Sequence, residues 1–351
     1  MKGRNHILAL AVGLAGGVSA QGAFAAPTVY GQFNLSLDNL DNGTDSALNI
    51  SSNSSRIGLK GDIQVGDGLE GLYQLETEVT ADDGGSLALG SRNTFFGLKS
   101  NSGTARIGRF DTPVKVIGRQ VDLFGDQVGD ARNLTRAAGG INRFDERPHN
   151  SIDYTSPEIS GFKGTLLYST NVDTDTTATN DNDLISFAVN YAQAPLFVGV
   201  GYETAGNTST TQDDPNIIRL GASYDLDAWR FSGLWQSISG AATDGSQDED
   251  VFGVGARYKT GAWVFKGQVY QLSAEADNRD VGLVALGAEY TLQKGITLYA
   301  AYATTDNDDG RSVTPYVEGR SDGVSTTTGN LVAPAAGESA SGLSLGTIIK
   351  F

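Results

Sequence analysis

Polar and apolar residues alternate along most of the chain after position 26. In the stretch 28–37, Val29, Phe33 and Leu35 fall on one face, whereas Gln32 falls on the other. A period of two is typical of β-strands that have one apolar and one polar face. The stretches with this pattern are 28–37, 54–65, 69–81, 91–99, 104–109, 149–156, 162–170, 183–193, 196–203, 216–225, 229–239, 250–260, 262–273, 281–292, 296–304 and 339–351. We therefore predict an all-β protein with sixteen strands.

The connections between these strands alternate in length. Short connections contain Gly, Pro or Asp, as in 66–68 and 194–195. Long connections are polar and acidic, as in 171–182, 204–215 and 305–338. An even number of antiparallel strands joined in this way is typical of outer-membrane barrels, in which the short turns lie at the periplasmic end. The pattern thus predicts a transmembrane antiparallel β-barrel.

Aromatic residues accumulate on the apolar face of these strands. Trp229, Phe231 and Trp235 share one face of the stretch 229–239, and Arg230 lies on the opposite face. A soluble β-sandwich would hide the apolar face and leave sheet edges to protect. Sixteen strands with charged residues on the polar face are too many for one ordinary sandwich. A barrel that presents its apolar face to lipid and its polar face to water accounts for the pattern better.

The composition narrows the possible functions. The chain has 351 residues, no Cys and a formal net charge of −16. The lack of Cys excludes a disulfide framework and thiolate metal sites. The negative charge argues against nucleic acid as a partner, because phosphates require a basic surface.

The start of the sequence has the features of a secretory signal peptide. A positive region that includes Lys2 is followed by an apolar core at 7–18 and an A-x-A cleavage motif at 23–25. The apolar core is shorter than the ~20 residues that a transmembrane helix requires. We therefore expect the segment 1–25 to be cleaved and the segment 26–351 to form a single barrel domain.

The interval 110–148 shows neither a clean alternation nor a short turn. Loops of this length are uncommon in compact domains, and they are usually functional or disordered. This interval carries apolar residues that favour burial, such as Ile117 and Phe124, among many charged ones. Our interpretation is that it folds inward and narrows a pore. The alternative is an ordinary surface loop with a short helix.

Residues that could support catalysis are scarce. His149 is the one His outside the predicted signal peptide, and neither G-x-S-x-G nor H-E-x-x-H occurs in the context that its chemistry needs. General-base and triad chemistry usually depends on a His with carboxylate or hydroxyl partners. We therefore predict that the protein is not an enzyme, and we assign no catalytic residue, metal or cofactor. Two other classes stay open, a substrate-specific channel for sugars or anions and a secreted adhesin.

Several segments resemble the general porins of Gram-negative bacteria. They are VYGQFNL near the start, SRIGLKG at 55–61, GRFDTP at 108–113, NSIDYTSP at 150–157 and LSLGTIIKF at 343–351. The members of that family are trimeric, 16-stranded outer-membrane diffusion channels whose third external loop folds into the lumen. The resemblance covers essentially the whole chain after the predicted signal peptide, and it implies the same role for the interval 110–148.

The resemblance also implies a pore constriction in which acidic loop residues face basic wall residues. The implied residues are Arg56, Lys60, Arg109 and Arg147 on the basic wall and Asp122, Asp126 and Asp130 on the acidic loop. The segment FGDQVGDARNLTRAAGG departs from the usual P-E-F-G-G type of loop, so the choice among the three acids stays open. Opposed rows of charge in a narrow gap create a transverse field that aligns water and dipolar solutes.

These observations predict a water-filled outer-membrane channel for passive diffusion of ions and small hydrophilic solutes. Acidic external loops would raise the local cation concentration, so we expect a weak cation preference that the wall arginines oppose. The resemblance further implies a homotrimer surrounded by outer-membrane lipid and lipopolysaccharide. Phe351 resembles the assembly signal of the family, through which the last strand would engage the barrel-assembly machinery.

Overall fold

The alternating stretches form strands in the computed structural model, which describes residues 26–66, 68–82, 89–136, 144–170, 183–206, 214–240, 248–319 and 334–351. The predicted signal peptide, 1–25, lies outside this part of the chain. The strands are β1 (Thr28–Asp41), β2 (Ser46–Ser52), β3 (Arg56–Gly66), β4 (Leu69–Glu78), β5 (Thr94–Ser100), β6 (Gly103–Arg109), β7 (Ser151–Thr155), β8 (Phe162–Ser169), β9 (Leu184–Gln193), β10 (Leu196–Ala205), β11 (Asn216–Leu226), β12 (Trp229–Ser239), β13 (Glu249–Thr260), β14 (Trp263–Ala274), β15 (Val281–Gln293), β16 (Ile296–Asn307) and β17 (Ala340–Lys350).

The strands form one antiparallel sheet that closes on itself. β1 pairs with β17 along one edge, where Gln32 lies opposite Lys350. Along its other edge, the first part of β1 pairs with β3 and the last part pairs with β2. β2 and β3 therefore occupy one strand position in the barrel wall. The described chain thus has sixteen strand positions, and the predicted fold is confirmed.

The two rims of the barrel differ in the length of their connections. One rim carries the two-residue connections 194–195, 227–228, 261–262 and 294–295, and we call it the short-turn rim. The opposite rim, which we call the long-loop rim, carries the long connections, including the segment between β6 and β7 and the segment between β16 and β17.

The segment 38–53 lies between the first two alternating stretches, and its polar residues indicate a loop. This interpretation is wrong, because β1 and β2 cover most of the segment. Leu48 and Ile50 of β2 are 75% and 61% exposed, in keeping with an outward apolar face. On the other face, Asp38 accepts a hydrogen bond from the Ser51 hydroxyl at 2.6 Å. Polar side chains that satisfy one another between neighbouring strands are compatible with a barrel wall, although they suggest a loop when the sequence is read alone.

Two short helices interrupt the strand pattern among the residues that the structure describes, and both lie between β6 and β7. They are α1 (Pro113–Val121) and α2 (Arg132–Thr135). Within the part of the chain that the structure describes, no helix is long and apolar enough to cross a membrane.

The wall presents apolar side chains outward and polar side chains inward, as the alternation predicts. Phe252 and Leu286, for example, are 57% and 60% exposed. Near the short-turn rim, Trp229 packs on Tyr258 and Trp263 packs on Tyr290, with ring centroids 4.7 and 4.8 Å apart. The outer surface is therefore the apolar, aromatic surface expected where a barrel meets lipid.

The hydrophobic core lies inside the barrel. Phe124 and Val128, from the segment between β6 and β7, are fully buried in one cluster with wall residues such as Ile217 and Leu272. The segment after β6 therefore supplies one side of the core, and the inner face of the wall supplies the other.

Candidate functional site in the barrel lumen

The predicted constriction loop, residues 110–148, begins with the amphipathic helix α1. Its residues 137–143 lie outside the described part of the chain. The Thr112 side chain caps the helix by accepting a hydrogen bond from the Lys115 amide, and Pro113 follows at a position where proline is well tolerated. Val114, Ile117 and Val121 are fully buried. The helix thus turns one apolar face to the wall and leaves its polar face to the lumen.

Glycines in β10 and β11 make room for α1 against the wall. A Cβ atom on Gly221 would lie 2.7 Å from Ile117 Cγ2, and one on Gly201 would lie 2.9 Å from Val114 Cγ2. These approaches are closer than a side chain at either position permits. The wall is therefore shaped at these two positions to receive the helix.

The loop continues across the barrel to strands on the far side. Gln268 of β14 donates to the Gly129 carbonyl at 2.8 Å and to the Asp122 carboxylate at 2.9 Å. Asn34 of β1 donates to the Asp126 carbonyl at 2.9 Å. Because these partners lie on the inner face of the wall, the loop lies in the lumen and reaches both β1 and β14.

A charged cluster at the tip of the loop joins two carboxylates to three guanidinium groups. Asp126 contacts Arg119 at 2.9 Å and Arg132 at 3.1 Å, and Arg56 of β3 approaches it at 3.6 Å. Asp130 contacts Arg132 at 2.7 Å and Arg119 at 3.7 Å. The loop therefore supplies most of the counter-charge for its own acids, and Arg56 is the wall residue that joins them.

The electrostatics of this cluster favour ionised carboxylates. Burial would raise the pKa of Asp126, but Arg119 and Arg132 outweigh it and hold the pKa well below its ordinary value. Burial likewise opposes the ionisation of Asp130, but the neighbouring Arg132 outweighs burial. The pKa of Asp130 is therefore also lowered. The positive charges of Arg119 and Arg56 reach the lumen, because both side chains are partly exposed.

Asp122 behaves differently from the other two predicted acids. Its carboxylate accepts hydrogen bonds from the Phe124 amide at 2.9 Å and from Gln268. Burial, followed by repulsion from Asp130, raises the pKa of Asp122 to about 7. Asp122 is therefore a group whose charge changes near neutral pH.

Two of the predicted wall residues lie at the base of the loop. Arg109 donates to the Arg147 carbonyl at 3.0 Å, and Arg147 pairs with Asp111 at 3.0 Å. Lys115 also pairs with Asp111, at 3.1 Å. Burial lowers the pKa of Lys115 to about 8 and that of Arg147 to about 10, although Asp111 opposes both shifts. Arg109 and Arg147 thus form a second cluster, separate from the tip.

The remaining predicted wall residue, Lys60, is exposed on β3. Its ammonium lies 5.0 Å from the centroid of the Tyr30 ring. Of the seven residues predicted for the constriction, the structure brings one wall residue and one loop acid into direct contact, Arg56 and Asp126.

A buried ion pair fixes the end of the loop to the wall. Asp145 contacts Arg219 of β11 at 2.5 Å, and both side chains are almost fully buried. Arg219 also donates to the Val114 carbonyl at 3.1 Å and to Gln236 at 2.9 Å. Because the partner of a buried charge is costly to remove, this pair holds both ends of the loop in one position.

A second segment, 311–319, folds onto the constriction loop, and sequence reasoning missed it. The Gly129 amide donates to the Pro315 carbonyl at 2.7 Å, and Glu318 pairs with Arg136 at 3.1 Å. Tyr316 is fully buried in the same cluster as the loop residues. The sequence signal for these contacts is weak, because it consists of isolated residues in a long acidic connection.

An open cavity of about 400 Å³ remains between the loop and the wall of β14–β17. Its lining includes Arg119 and Asp122 from the loop and Lys266, Glu289 and Lys350 from the wall. The lumen is therefore narrowed on one side and open and polar on the other.

The final residue predicted to have a role, Phe351, follows β17 at the short-turn rim. Its ring stacks on Phe33 with centroids 5.9 Å apart, and its amide and carbonyl both hydrogen-bond to Gly31. The side chain is also 56% exposed. Phe351 thus completes the pairing of the last strand with the first.

Comparison with known proteins identifies the family. The profile of the family described as Gram-negative porin matches residues 8–310. The chain belongs to the Gram-negative porin family. It is therefore an outer-membrane β-barrel protein, and both the resemblance and the localisation predicted from the sequence are confirmed.

Individual porins show similarity over different parts of the chain. Outer membrane porin protein 32 of Delftia acidovorans is 30% identical over 235 residues, which are 63% of this chain and 66% of that protein. Major outer membrane protein P.IA of Neisseria meningitidis is 37% identical over 120 residues, which are 34% of this chain. The chain spans 29% of the length of that meningococcal relative.

Solved structures resemble almost the whole described barrel. The anion-selective porin from Comamonas acidovorans has a TM-score of 0.79 and 25% identity, and the match covers 93% of this chain and 99% of that one. OmpT of Vibrio cholerae in its trimer form has a TM-score of 0.66 and 19% identity, and covers 93% and 100% of the two chains. At this level of identity, the similarity to OmpT shows a shared fold and nothing further. This family and this fold are those of channels.

Proposed function

We propose that the protein forms a water-filled channel for passive diffusion of ions and small hydrophilic solutes across the outer membrane. The observation that carries this proposal is the polar cavity of about 400 Å³ beside the constriction loop. A loop that filled the lumen completely would bury its charged side chains, whereas Arg119 and Arg56 stay partly exposed there. Membership in the porin family supports the same function.

The proposed constriction has Arg56 and Asp126 at its centre. Their contact at 3.6 Å joins wall to loop, and the exposed Lys60 lies on the same strand as Arg56. Asp122 and Asp130 support the loop side of the constriction, while Arg109 and Arg147 support its base. Opposite charges held at this spacing create a transverse field in the remaining opening.

We propose a weak cation preference for the channel as a whole. The formal net charge of −16 and the acidic connections at the long-loop rim favour entry of cations. The partly exposed Arg119 and Arg56 oppose that effect inside the lumen. The Comamonas acidovorans porin is described as anion-selective. The same sign here would mean that the lumen arginines outweigh the acidic connections.

Single-channel recording in a planar lipid bilayer tests this proposal. Stable nanosiemens-order conductance steps, with a small reversal potential of cation-selective sign in a salt gradient, are the expected result. A correctly folded barrel without conductance would contradict the channel function. Block by a particular sugar at low concentration would favour a substrate-specific channel instead.

We further propose that the protein is exported by cleavage after residue 25 and assembles as a homotrimer in lipid and lipopolysaccharide. The exposed Phe351 at the end of β17 is suited to engage the barrel-assembly machinery, since its aromatic ring stays accessible after pairing with β1. OmpT of Vibrio cholerae, which shares the fold, is described in a trimer form.

A further inference from the structure

A row of three basic residues crosses the inner face of the wall on β12, β13 and β14. Arg230 lies directly opposite Arg257, and Arg257 lies directly opposite Lys266. Neighbouring strands are only ~4.8 Å apart, and like charges placed directly opposite one another are destabilising. A row of this kind is therefore suited to an anion that compensates it.

The two ends of this row already have partners. Arg230 forms two hydrogen bonds with the Asp225 carboxylate, at 2.8 and 2.7 Å. Lys266 uses all three of its donors, on the Glu289 carboxylate at 2.6 Å, the Leu123 carbonyl at 2.7 Å and Gln127 at 2.8 Å. The geometry at both ends thus leaves little capacity for a further ligand.

The middle residue of the row, Arg257, is available. Its side chain is exposed, and among the described residues it forms no side-chain hydrogen bond and no ion pair within 4.0 Å. Asp225 acts on it through space, but the hydrogen bonds of that carboxylate go to Arg230. Three cations and two carboxylates leave one uncompensated positive charge, centred on Arg257.

The position of the row relates it to the path of solutes. One step farther from the short-turn rim, a Cβ atom on Gly255 would lie 2.8 Å from Leu123 of the constriction loop. Lys266 holds the same loop segment through the Leu123 carbonyl. Arg257 therefore lies on the short-turn side of the loop, where a solute that passes the constriction meets it next.

We propose that Arg257, flanked by Arg230 and Lys266, forms a binding site for the oxyanion group of small carboxylate- or phosphate-bearing solutes. A guanidinium group presents paired N–H donors that match the two oxygens of a carboxylate or phosphate. The flanking cations are held by their own carboxylates, so they do not compete for the ligand. The single uncompensated charge suits one oxyanion group. The site rests on the proposed channel function, because solutes reach Arg257 only through a water-filled lumen.

Bilayer recording with two probes, succinate and inorganic phosphate, tests the site. In the native protein, either probe lowers the single-channel chloride current with saturation. In R257Q, the concentration for half of this effect rises at least about tenfold, which corresponds to about 1.4 kcal/mol. R257K, which keeps the charge but loses the paired donors, gives a smaller rise of about threefold. An effect of phosphate alone or succinate alone narrows the ligand class to that probe and still supports the site.

K259Q is the matched control. Lys259 is exposed on the same face of β13, two residues nearer the short-turn rim, and lies opposite Val264 rather than a charged residue. K259Q removes the same charge and should change the half-effect concentration less than about twofold. Equal effects of R257Q and K259Q, or saturation in R257Q as in the native protein, would overturn the site. Normal conductance without any saturable effect would also overturn it and leave the channel intact, whereas absence of conductance would refute the channel itself.

Discussion

Replacement of Asp126 by Asn should make the channel more permeable to anions. Asp126 supplies one of the two negative charges in the tip cluster, against the guanidinium groups of Arg56, Arg119 and Arg132. The substitution keeps the shape of the side chain and removes its charge. The net charge of the cluster therefore becomes more positive by one unit, and the partly exposed Arg119 and Arg56 present this change to the lumen.

The size of the effect follows from the distance between the cluster and a permeating ion. One added charge acts on an ion at ~5 Å with about 0.8 kcal/mol in a water-like dielectric. Screening in ~0.1 M salt reduces this to about 0.5 kcal/mol. Anions then become roughly twofold more concentrated in the constriction and cations roughly twofold less. A change of about fivefold in the permeability ratio moves the reversal potential by about 30 mV in a tenfold salt gradient.

The assay is the reversal potential of D126N in a planar bilayer, with E158Q as the control. Glu158 also forms an ion pair, with Lys163 at 3.7 Å, but it is exposed in the short connection between β7 and β8. E158Q makes the same change of charge and should shift the potential by less than about 5 mV. Equal shifts in the two variants, or a shift of D126N toward cations, would refute the assignment of Asp126 to the constriction.

Three further predictions concern the loop. Because the folded protein favours protonated Asp122, the free energy of unfolding should fall as the pH rises from about 4 to about 7. D122N should reduce the difference between the unfolding temperatures at pH 5 and pH 8, and an unchanged difference would contradict the raised pKa of Asp122. G221A should destabilise the barrel by about 1–3 kcal/mol because its Cβ meets Ile117 Cγ2. Thermal unfolding measures this loss, and an unfolding temperature equal to that of the native protein would refute the close contact. E318Q should weaken the attachment of the segment 311–319 by about 1.5–3 kcal/mol, because Arg136 loses a charged partner. Hydrogen exchange should then show faster exchange of the amides at the loop tip, and exchange rates equal to those of the native protein would count against that contact.

The barrel was predictable because its strands repeat one constraint, an apolar side chain toward lipid followed by a polar side chain toward the lumen. In β13, for example, Phe252 and Val254 are exposed on the outer face and their neighbours face the lumen, so a period of two appears in the sequence. β2 was missed because Asp38 and Ser51 satisfy one another across neighbouring strands. The sequence shows that these residues are polar but does not show which partner each one has.

The packing of the loop 110–148 against the wall was predictable from its apolar residues, but the pairing of its charged residues was not. The buried apolar residues of 110–148 indicate an inward loop, whereas the choice of partners depends on side-chain directions. Arg119 and Asp126 meet around the end of α1, and no local motif specifies that contact. Arg136 and Glu318 come from connections far apart in the chain, so their contact depends on the closed barrel.

The contacts of the loop tip also set an order of events during assembly. Asn34, which holds the Asp126 carbonyl, comes from the first strand, and Pro315, which holds the Gly129 amide, precedes the last. Both partners are in place only after β1 and β17 have paired. The constriction is therefore completed by the same step that closes the barrel, and a chain halted before closure would hold a wide, unfinished lumen rather than a selective one.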